Sequence, residues 1–389
     1  MQNYDITIIG SGMVGATLAH ALRDTALRIA IVDATPLTAR EDNRLIALNF
    51  QSYTLFQQLN LWEKLAANAC PIQEVHVSQQ RRFGAVRLRA NDINLPILGY
   101  VVPARFINAA LEADLPQNIT SFRPATLKHL TQTAEQITVD LGEKKFSTRI
   151  LIGADGSHST VRQLLNISVE QYDYQQSALV TVTHLQRSHQ YIAYERFLKN
   201  GAIAMLPLTE QRAATIWSGP TAEIKALLVL DEATFLKQLQ QQFGYRLGLL
   251  QKTEQRSLFP LQMQHATDTV KQNIALIGNA AHTLHPIAAQ GLNLALHEVG
   301  QLVNHFKKQT ADTLSLQHFV SQTSAQTFTL RLSHLLARLF SLELPFMSFA
   351  RQIGMISLDH FLPAKKSLTE KTAGKRFLLQ NSLNSFEID

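Results

Sequence analysis

A single cysteine, Cys70, stands in 389 residues, so no disulfide framework can form within the chain, and a reducing compartment is expected. Cys70 itself reads as a small buried apolar side chain. No uninterrupted apolar run reaches the roughly 18 residues of a membrane-spanning helix. No basic and apolar leader precedes the first strand-like run at Asp5, so a cleaved signal peptide is not expected either. Neither a GxSxG nucleophile elbow nor a P-loop or protein-kinase pattern occurs. No nucleic-acid motif accompanies the net charge of +6 and pI of about 9.4, which leaves anionic cofactors or an anionic membrane surface as its partners. Charged residues make up only 17% and hydrophobic ones 46%, the balance of a globular chain with an ample core and two or three domains.

What the chain does have begins at once. Ile6, Ile8 and Ile9 read as a buried parallel strand that runs into Gly10-Ser-Gly12-Met13-Val14-Gly15 and then a helix from Ala16 to Leu22. Gly10 suits the tight turn, Gly12 lets backbone approach a pyrophosphate, and Gly15 lets helix pack on strand. The anion sits at the helix N-terminus, where unpaired N–H groups and the positive dipole end converge. A second strand, Arg28 to Val32, ends in Asp33, 18 residues past Gly15 and placed for a ribose hydroxyl.

Farther on, Arg44 is a candidate clamp for a phosphate, with a solvated loop arginine as the plain alternative. Short strands are expected at 72–78, 85–88 and 93–95. A helix is expected over 104–113, with Arg105 in its first turn, where a ligand anion would suit it better than the dipole does. The strand Arg149 to Ile152 ends in Gly153-Ala-Asp155-Gly156 before a helix that opens near Ser159. Asp155 there is either a helix cap or a sugar or pyrophosphate ligand. From Ser168 to Val270 strands follow one another without helices between them, which predicts a mostly antiparallel sheet in a separate α+β lobe, and two helices come after, near 222–230 and 232–242. A third strand, Asn273 to Ile277, ends in Gly278-Asn279, followed by His282, His285, Pro286, Ala289 and a helix start near Gly291. His282 and His285 lack further ligands at a familiar spacing, so no metal is expected. Among possible bases, His282, His285 and Tyr194 stand out by residue type alone.

GSGMVG, the GADG segment and GNAAHTLHPIAAQGLN, in this order, together with RLIALN, LNLWEKL and GYVV before Arg105, resemble the FAD-dependent aromatic hydroxylases of the para-hydroxybenzoate hydroxylase superfamily. The order is most similar to the branch acting in ubiquinone biosynthesis, and within it Gly278-Asn279 and Leu284-His285-Pro286 are most like the 2-octaprenyl-6-methoxyphenol hydroxylases. The resemblance implies that Gly10, Gly12, Met13, Val14, Gly15 and Asp33 bind the ADP half of FAD. Arg44 and Arg105 would reach the flavin side and the pyrophosphate, and Asp155 with Gly156 would serve both FAD and NAD(P)H. Gly278 and Asn279 would touch the ribityl or pyrophosphate region, and Pro286, Ala289, Gln290, Gly291, Leu292 and Asn293 would line the isoalloxazine ring. Three positions depart from the pattern: Asn279 replaces the usual Asp, Ala289 a glycine, and Asp33 a common Glu. An amide oxygen still accepts a hydrogen bond, whereas the extra methyl of Ala289 crowds the flavin loop.

The implied fold is α/β: a Rossmann-like FAD-binding domain (1–70, 101–167 and 271–310), an inserted mostly antiparallel α+β substrate domain (71–100 and 168–270) and a C-terminal helical region (311–389). The implied reaction is hydroxylation of a polyprenylated phenol through a flavin hydroperoxide. NAD(P)H and O2 are consumed, and with no second GxGxxG the nicotinamide docks only transiently. Two rival readings are a dehydrogenase with NAD in the glycine turn and a non-catalytic flavoprotein scaffold in a biosynthetic assembly. A cytoplasmic location is expected. The apolar C-terminal stretches 335–344 and 346–356 and Phe361-Leu362 are interspersed with Arg331, Arg338, Arg351, Lys365, Lys366, Lys371, Lys375 and Arg376. They read either as a helical cap on the protein's own core or as a peripheral contact with the inner membrane or a protein partner.

Overall fold

Strands that are apolar on both faces must be covered on both, and two strands that are buried throughout 6–9 and 150–152 form the middle of a two-sided sheet. In the computed structural model, β1 (Gln2–Ile9) and β11 (Lys145–Gly153) pair in parallel at the centre of an eight-stranded sheet. The structure describes residues 2–36, 42–113, 115–116, 118–133, 136–209, 211–283, 290–310, 313–316, 319 and 357–375. With strands numbered in chain order, β2 (Ile29–Val32) and then β8 (Ile119–Phe122) extend the sheet from β1, and β19 (Ile274–Leu276) extends it from β11, all in parallel. The short β18 (Val270–Lys271) pairs antiparallel with β19, and β9 (His129–Gln132) and β10 (Ile137–Asp140) form an antiparallel ribbon on β11.

Helices α1 (Met13–Ala21), α4 (Ala104–Glu112) and α8 (Gln290–Phe306) cover one face, where Ile6, Ile8, Leu18, Ile107, Val299 and Leu302 share a core. The other face buries Ile9, Val32, Phe122, Phe146 and Leu151 beneath the ribbon and Val161 of α5 (Thr160–Leu164). A three-stranded sheet of β3 (Leu45–Asn49), β4 (Cys70–Ile72) and β7 (Gly99–Pro103) stands beside α2 (Phe50–Gln58) and α3 (Trp62–Ala66). Cys70 is buried there, and burial pushes its thiol up to about 11, an inert packing residue.

The second lobe is a nine-stranded sheet. Its path runs β20 (His282–Thr283), β17 (Ser257–Ala266), β12 (Val169–Leu185), β15 (Arg212–Pro220), β14 (Ala202–Pro207), β13 (Ile192–Phe197), β5 (Glu74–Gln79) and β6 (Ala85–Arg89), with β16 (Leu250–Thr253) paired to β12. Every pair is antiparallel except β5 with β13. Helices α6 (Thr221–Leu228) and α7 (Glu232–Phe243) cover one face, burying Leu179, Ile203, Met205 and Trp217 against Phe235, Leu239 and Phe243.

Two local expectations change. The run 72–78 divides into β4 and β5, which belong to different sheets. Residues 93–95 are not a strand: Ala90–Ile93 forms a 3-10 turn ended by Asn94 at φ +54°, a left-handed position that asparagine tolerates. Among the described C-terminal residues, α9 (Leu362–Ala373) packs Ala373 into the core that holds Ile72, Leu88 and Val101. Its buried Lys365 lies 3.4 Å from Asp359 and 3.9 Å from Asp92, and Lys375 donates to the Ile93 carbonyl. Lys366 and Lys371 are exposed. The stretches 335–344 and 346–356, with Arg331, Arg338, Arg351 and Arg376, lie outside the described residues. No helix among the described residues is long and apolar enough to cross a membrane.

The tightest constraint is at Gly15, where an added Cβ would lie 1.9 Å from the Gly10 carbonyl oxygen. Both atoms belong to the backbone of the same turn, so neither can yield without opening it. Gly15→Ala is expected to destabilise the protein by about 1–3 kcal/mol or more, read as a fall in Tm, and an unchanged Tm would contradict this packing.

Candidate functional site

Open α/β sheets collect ligands at the carboxyl ends of their parallel strands. Here three such ends lie side by side: Ile9 is in register with Gly153, and Gly153 with Leu276. The chain then leaves each strand through one of the three glycine-bearing turns. Ala154 N donates to Ile9 O (2.7 Å) and Ile277 N to Gly153 O (2.9 Å), which stitches the turns together.

Gly10 holds φ +100°, and a Cβ on it would come within 2.8 Å of the Asp155 Cα and 2.5 Å of the Ala154 carbonyl oxygen. From the other side Gly278, at φ +57°, leaves only 3.1 Å between its own Cβ position and a methyl of Val14. Glycine is required at both because the left-handed backbone and the close approach coincide. The structure therefore brings Gly10, Gly12, Met13, Val14, Gly15, Asp155, Gly156 and Gly278 into one cluster.

Helix α1 starts there with Gly12 as its N-cap and no side-chain cap, so its first N–H groups have no side chain to satisfy them. Asp33 accepts from Ser11 N (2.6 Å) and Thr35 N (2.7 Å), which fixes the turn against the end of β2. One oxygen of Asp155 caps α5, accepting from Thr160 N (2.7 Å) and Val161 N (3.1 Å). The other, Oδ1, is buried with no partner among the described residues, an acceptor left over beside the glycine turn. A dinucleotide fits this set: its pyrophosphate would cap α1, and its hydroxyls would meet Asp33 and Asp155.

Arg44 and Arg105 are brought near one another, since Ala104 N donates to Arg44 O. The Arg44 guanidinium forms a fork on Asp42 (2.9 and 2.6 Å), and that ion pair raises its pKa, whereas Arg105 lies over the Phe106 ring at 4.7 Å. Asn279 is exposed in the turn after Ile277. Asn293, near the start of α8, is engaged on three sides. It donates to Ala47 O (2.8 Å) and accepts from Asn49 N (2.9 Å) and Ser52 Oγ (2.7 Å), so it holds the helix start against β3 and α2. Gly291 and Leu292 lie beside it in the first turn of α8. His285, Pro286 and Ala289 lie outside the described residues, as does the side chain of Gln290.

Of the three candidate bases, His282 is buried and bonded to Glu298 at 2.5 Å. Burial by itself would depress this imidazole, but the Glu298 charge and hydrogen bond outweigh burial and hold its pKa above the ordinary value. The other Glu298 oxygen accepts from Gly278 N (2.9 Å), so one carboxylate anchors both the third turn and the strand after it to α8. Tyr194 packs its ring on Phe243 (5.8 Å) and His76 (5.6 Å), under α7. His297 accepts from Gln51 Nε2 (2.8 Å), and burial pushes it down to about 4, keeping it neutral.

Several contributors carry no motif. Arg123, its side chain only 3% exposed, donates to Thr35 O (3.1 Å) and Ser11 Oγ (3.4 Å) and pairs with Glu112 (3.3 Å), bringing a cation to the first turn. Arg162 donates to Ala280 O (2.9 Å) and Ser157 O (2.6 Å), joining the second and third turns. The spacing of Glu298 eight residues past Gln290 was the one available signal for its role, since it places the carboxylate two turns into α8.

The raised pKa of His282 has a sign in stability. The His282–Glu298 pair contributes fully below about pH 6.5 and is lost as pH rises through the raised value. Glu298→Gln is expected to cost roughly 3–5 kcal/mol near pH 6 and to remove this alkaline decline. Thermal melts from pH 6 to 9 check it, and an unchanged slope in the variant would contradict a charged pair.

The model of the family described as FAD binding domain matches residues 3–314. Ubiquinone hydroxylase UbiL of Rhodospirillum rubrum is 27% identical over 95% of this chain and 89% of its own length. The 3-demethoxyubiquinol 3-hydroxylase of Escherichia coli is 28% identical over 92% of this chain and 95% of its own. The crystal structure of p-nitrophenol 4-monooxygenase PnpA from Pseudomonas putida, 10% identical, superposes with a TM-score of 0.73 over 96% of this chain and 98% of that one, a likeness of fold. The family model spans most of the chain, so the chain belongs to the FAD-binding-domain family and is an FAD-dependent monooxygenase.

Proposed function

We propose that this monooxygenase hydroxylates the ring of a polyprenylated phenol in ubiquinone biosynthesis, with NAD(P)H as reductant and O2 as oxidant. The observation that carries the reading is whole-length similarity to relatives named for that chemistry, including the human ubiquinone biosynthesis monooxygenase COQ6, 27% identical over 94% of this chain. FAD, when bound, supplies the hydride-accepting and oxygen-activating chemistry. The chain's own residues bind, orient and shield. The N–H groups at the start of α1 would hold the pyrophosphate, Asp33 the ribose, and the free Asp155 oxygen a second polar group. The N-terminus of α8, fixed by Asn293 against Ala47 and Asn49, directs its positive dipole end at negative charge that develops beside it. The apolar sheet face of the second lobe keeps water from the reacting ring.

The purified protein is expected to consume NAD(P)H in the presence of a prenylated phenol and to place one atom of labelled O2 in the ring, read by mass spectrometry. NAD(P)H oxidation with no label in the ring would contradict the reading and favour a flavoprotein that assembles without hydroxylating.

A prenyl tail implies a lipid source, and Phe361 together with Leu362, Lys366, Leu368 and Lys371 of α9 are exposed, apolar and basic side chains of the kinds that an anionic bilayer takes up. Co-sedimentation with anionic vesicles is expected to fall in the Lys366→Glu, Lys371→Glu double variant, and equal sedimentation would contradict peripheral attachment through α9.

A further inference from the structure

The nine-stranded sheet has one face under α6 and α7, and the opposite face looks toward the nucleotide half. Cross-strand register sets one row of that second face: Val77, Glu195, Ala204, Ile216 and Val180, on β5, β13, β14, β15 and β12. All five are half-buried, four are apolar, and the fifth is a carboxylate. Val77 and the neighbouring Val75, Ala193 and Leu206 pack with Leu45, Phe50 and Val101, which belong to β3, α2 and β7. Asn293 ties two of those elements, β3 and α2, to the start of α8, so the row and that helix end lie against the same part of the fold.

Glu195 has no hydrogen bond or ion pair to its carboxylate among the described residues, unlike Glu74, Glu112 and Glu298, which hold partners. Two residues along the adjacent strand, on the same face, the Gln79 side-chain oxygen is also buried without a partner among the described residues. The elements packed around Glu195 offer it no charge: β5 and β14 present Val77, Gln79 and Ala204, the opposite side presents Leu45, Phe50 and Val101, and the inward Lys365 of α9 is paired to Asp359 and Asp92. Removal from water pushes the Glu195 carboxyl up to about 7. A lone carboxylate on an apolar wall weakens the fold, and such groups persist where chemistry uses them. Tyr194, one residue earlier, points to the other face and cannot share the cleft.

We propose that Glu195 is a catalytic base that takes the phenolic proton of the substrate. This rests on the reading of the substrate as a prenylated phenol. The phenol O–H bond breaks, a carboxyl O–H bond forms on Glu195, and the electron pair left on oxygen moves into the ring, enriching the carbon that receives oxygen. The oxygen atom and the electrons come from O2 and NAD(P)H, as in the established activity. When the ring regains aromaticity its carbon-bound proton passes to solvent, and Glu195 returns its own proton to the ring oxygen. The Gln79 carbonyl, on the same face, is the acceptor available to a second ring hydroxyl.

The test compares FAD-loaded wild type, Glu195→Gln and Glu195→Asp with one prenylated phenol across pH 5 to 9. Wild-type kcat/KM is expected to rise with pH through about 7. Glu195→Gln is expected to lose 100-fold or more and to show no such rise, while Glu195→Asp keeps the rise and recovers part of the rate, with equal flavin content in all three. A stability readout stands apart from activity. With its pKa raised in the fold, Glu195 makes wild type less stable as pH rises from about 4.5 through 7, so Glu195→Gln is expected to melt higher than wild type at pH 8 and level with it at pH 4. Glu195→Gln within threefold of wild type and with the same pH rise overturns the role of Glu195 while the functional reading stands. A flavin-loaded wild type that hydroxylates no prenylated phenol overturns the functional reading, and this role with it.

Discussion

The bare N-terminus of α1 is the constraint on which the nucleotide half depends. Its cap is a glycine with no side chain to offer, so the first N–H groups of the helix face outward from a turn that only glycines can make. A helix end left in that state is stabilised by an anion, and the surrounding contacts keep it in that state. Gly15 presses against Gly10, Asp33 holds the Ser11 amide, and Val14 closes on Gly278. Two further strand ends are drawn beside the first by the parallel register of β1, β11 and β19, and the turn after β11 contributes an Asp155 oxygen with no partner among the described residues.

The other lobe works by contrast. Its helix-covered face is a closed core, whereas the row from Val77 to Val180 on its second face is half-buried and holds one carboxylate, Glu195. Between the lobes lie β3, β4, β7 and α2, with Asn293 as the polar joint and the Glu298–His282 pair as the clamp that keeps the third turn on α8. Rigid anchoring on the nucleotide side and an apolar wall on the other give a site that can orient a flat ring while excluding water.

Much of the nucleotide half was legible because its signals are local. Strand, glycine turn and helix start fall within 18 residues at Asp5 to Leu22, and the GADG and GNAAH turns repeat the pattern. The alternation over 177–217 likewise announces β12 to β15, of which β13, β14 and β15 pair with their neighbours along the chain. What could not be read is what depends on distant pairing. β5 joins β13 in parallel across more than a hundred residues, and that pairing puts Glu195 beside Val77. Tyr194 stands out by residue type, yet the face it occupies is decided by register, and its neighbour Glu195 takes the opposite face. For Asp155 the sequence leaves cap and ligand both open, and the structure gives one oxygen to the cap while the other has no partner among the described residues. Arg44 carries its own counter-ion, Asp42, two residues away, which spacing alone did not bring forward.

The most direct measurement is the identity and stoichiometry of the dinucleotide released when the purified protein is denatured. One FAD per chain, absent or sharply reduced when the glycine turn is closed by substitution, is the expected result. Release of NAD in its place, or no flavin uptake after incubation with excess FAD, would contradict the account at its root.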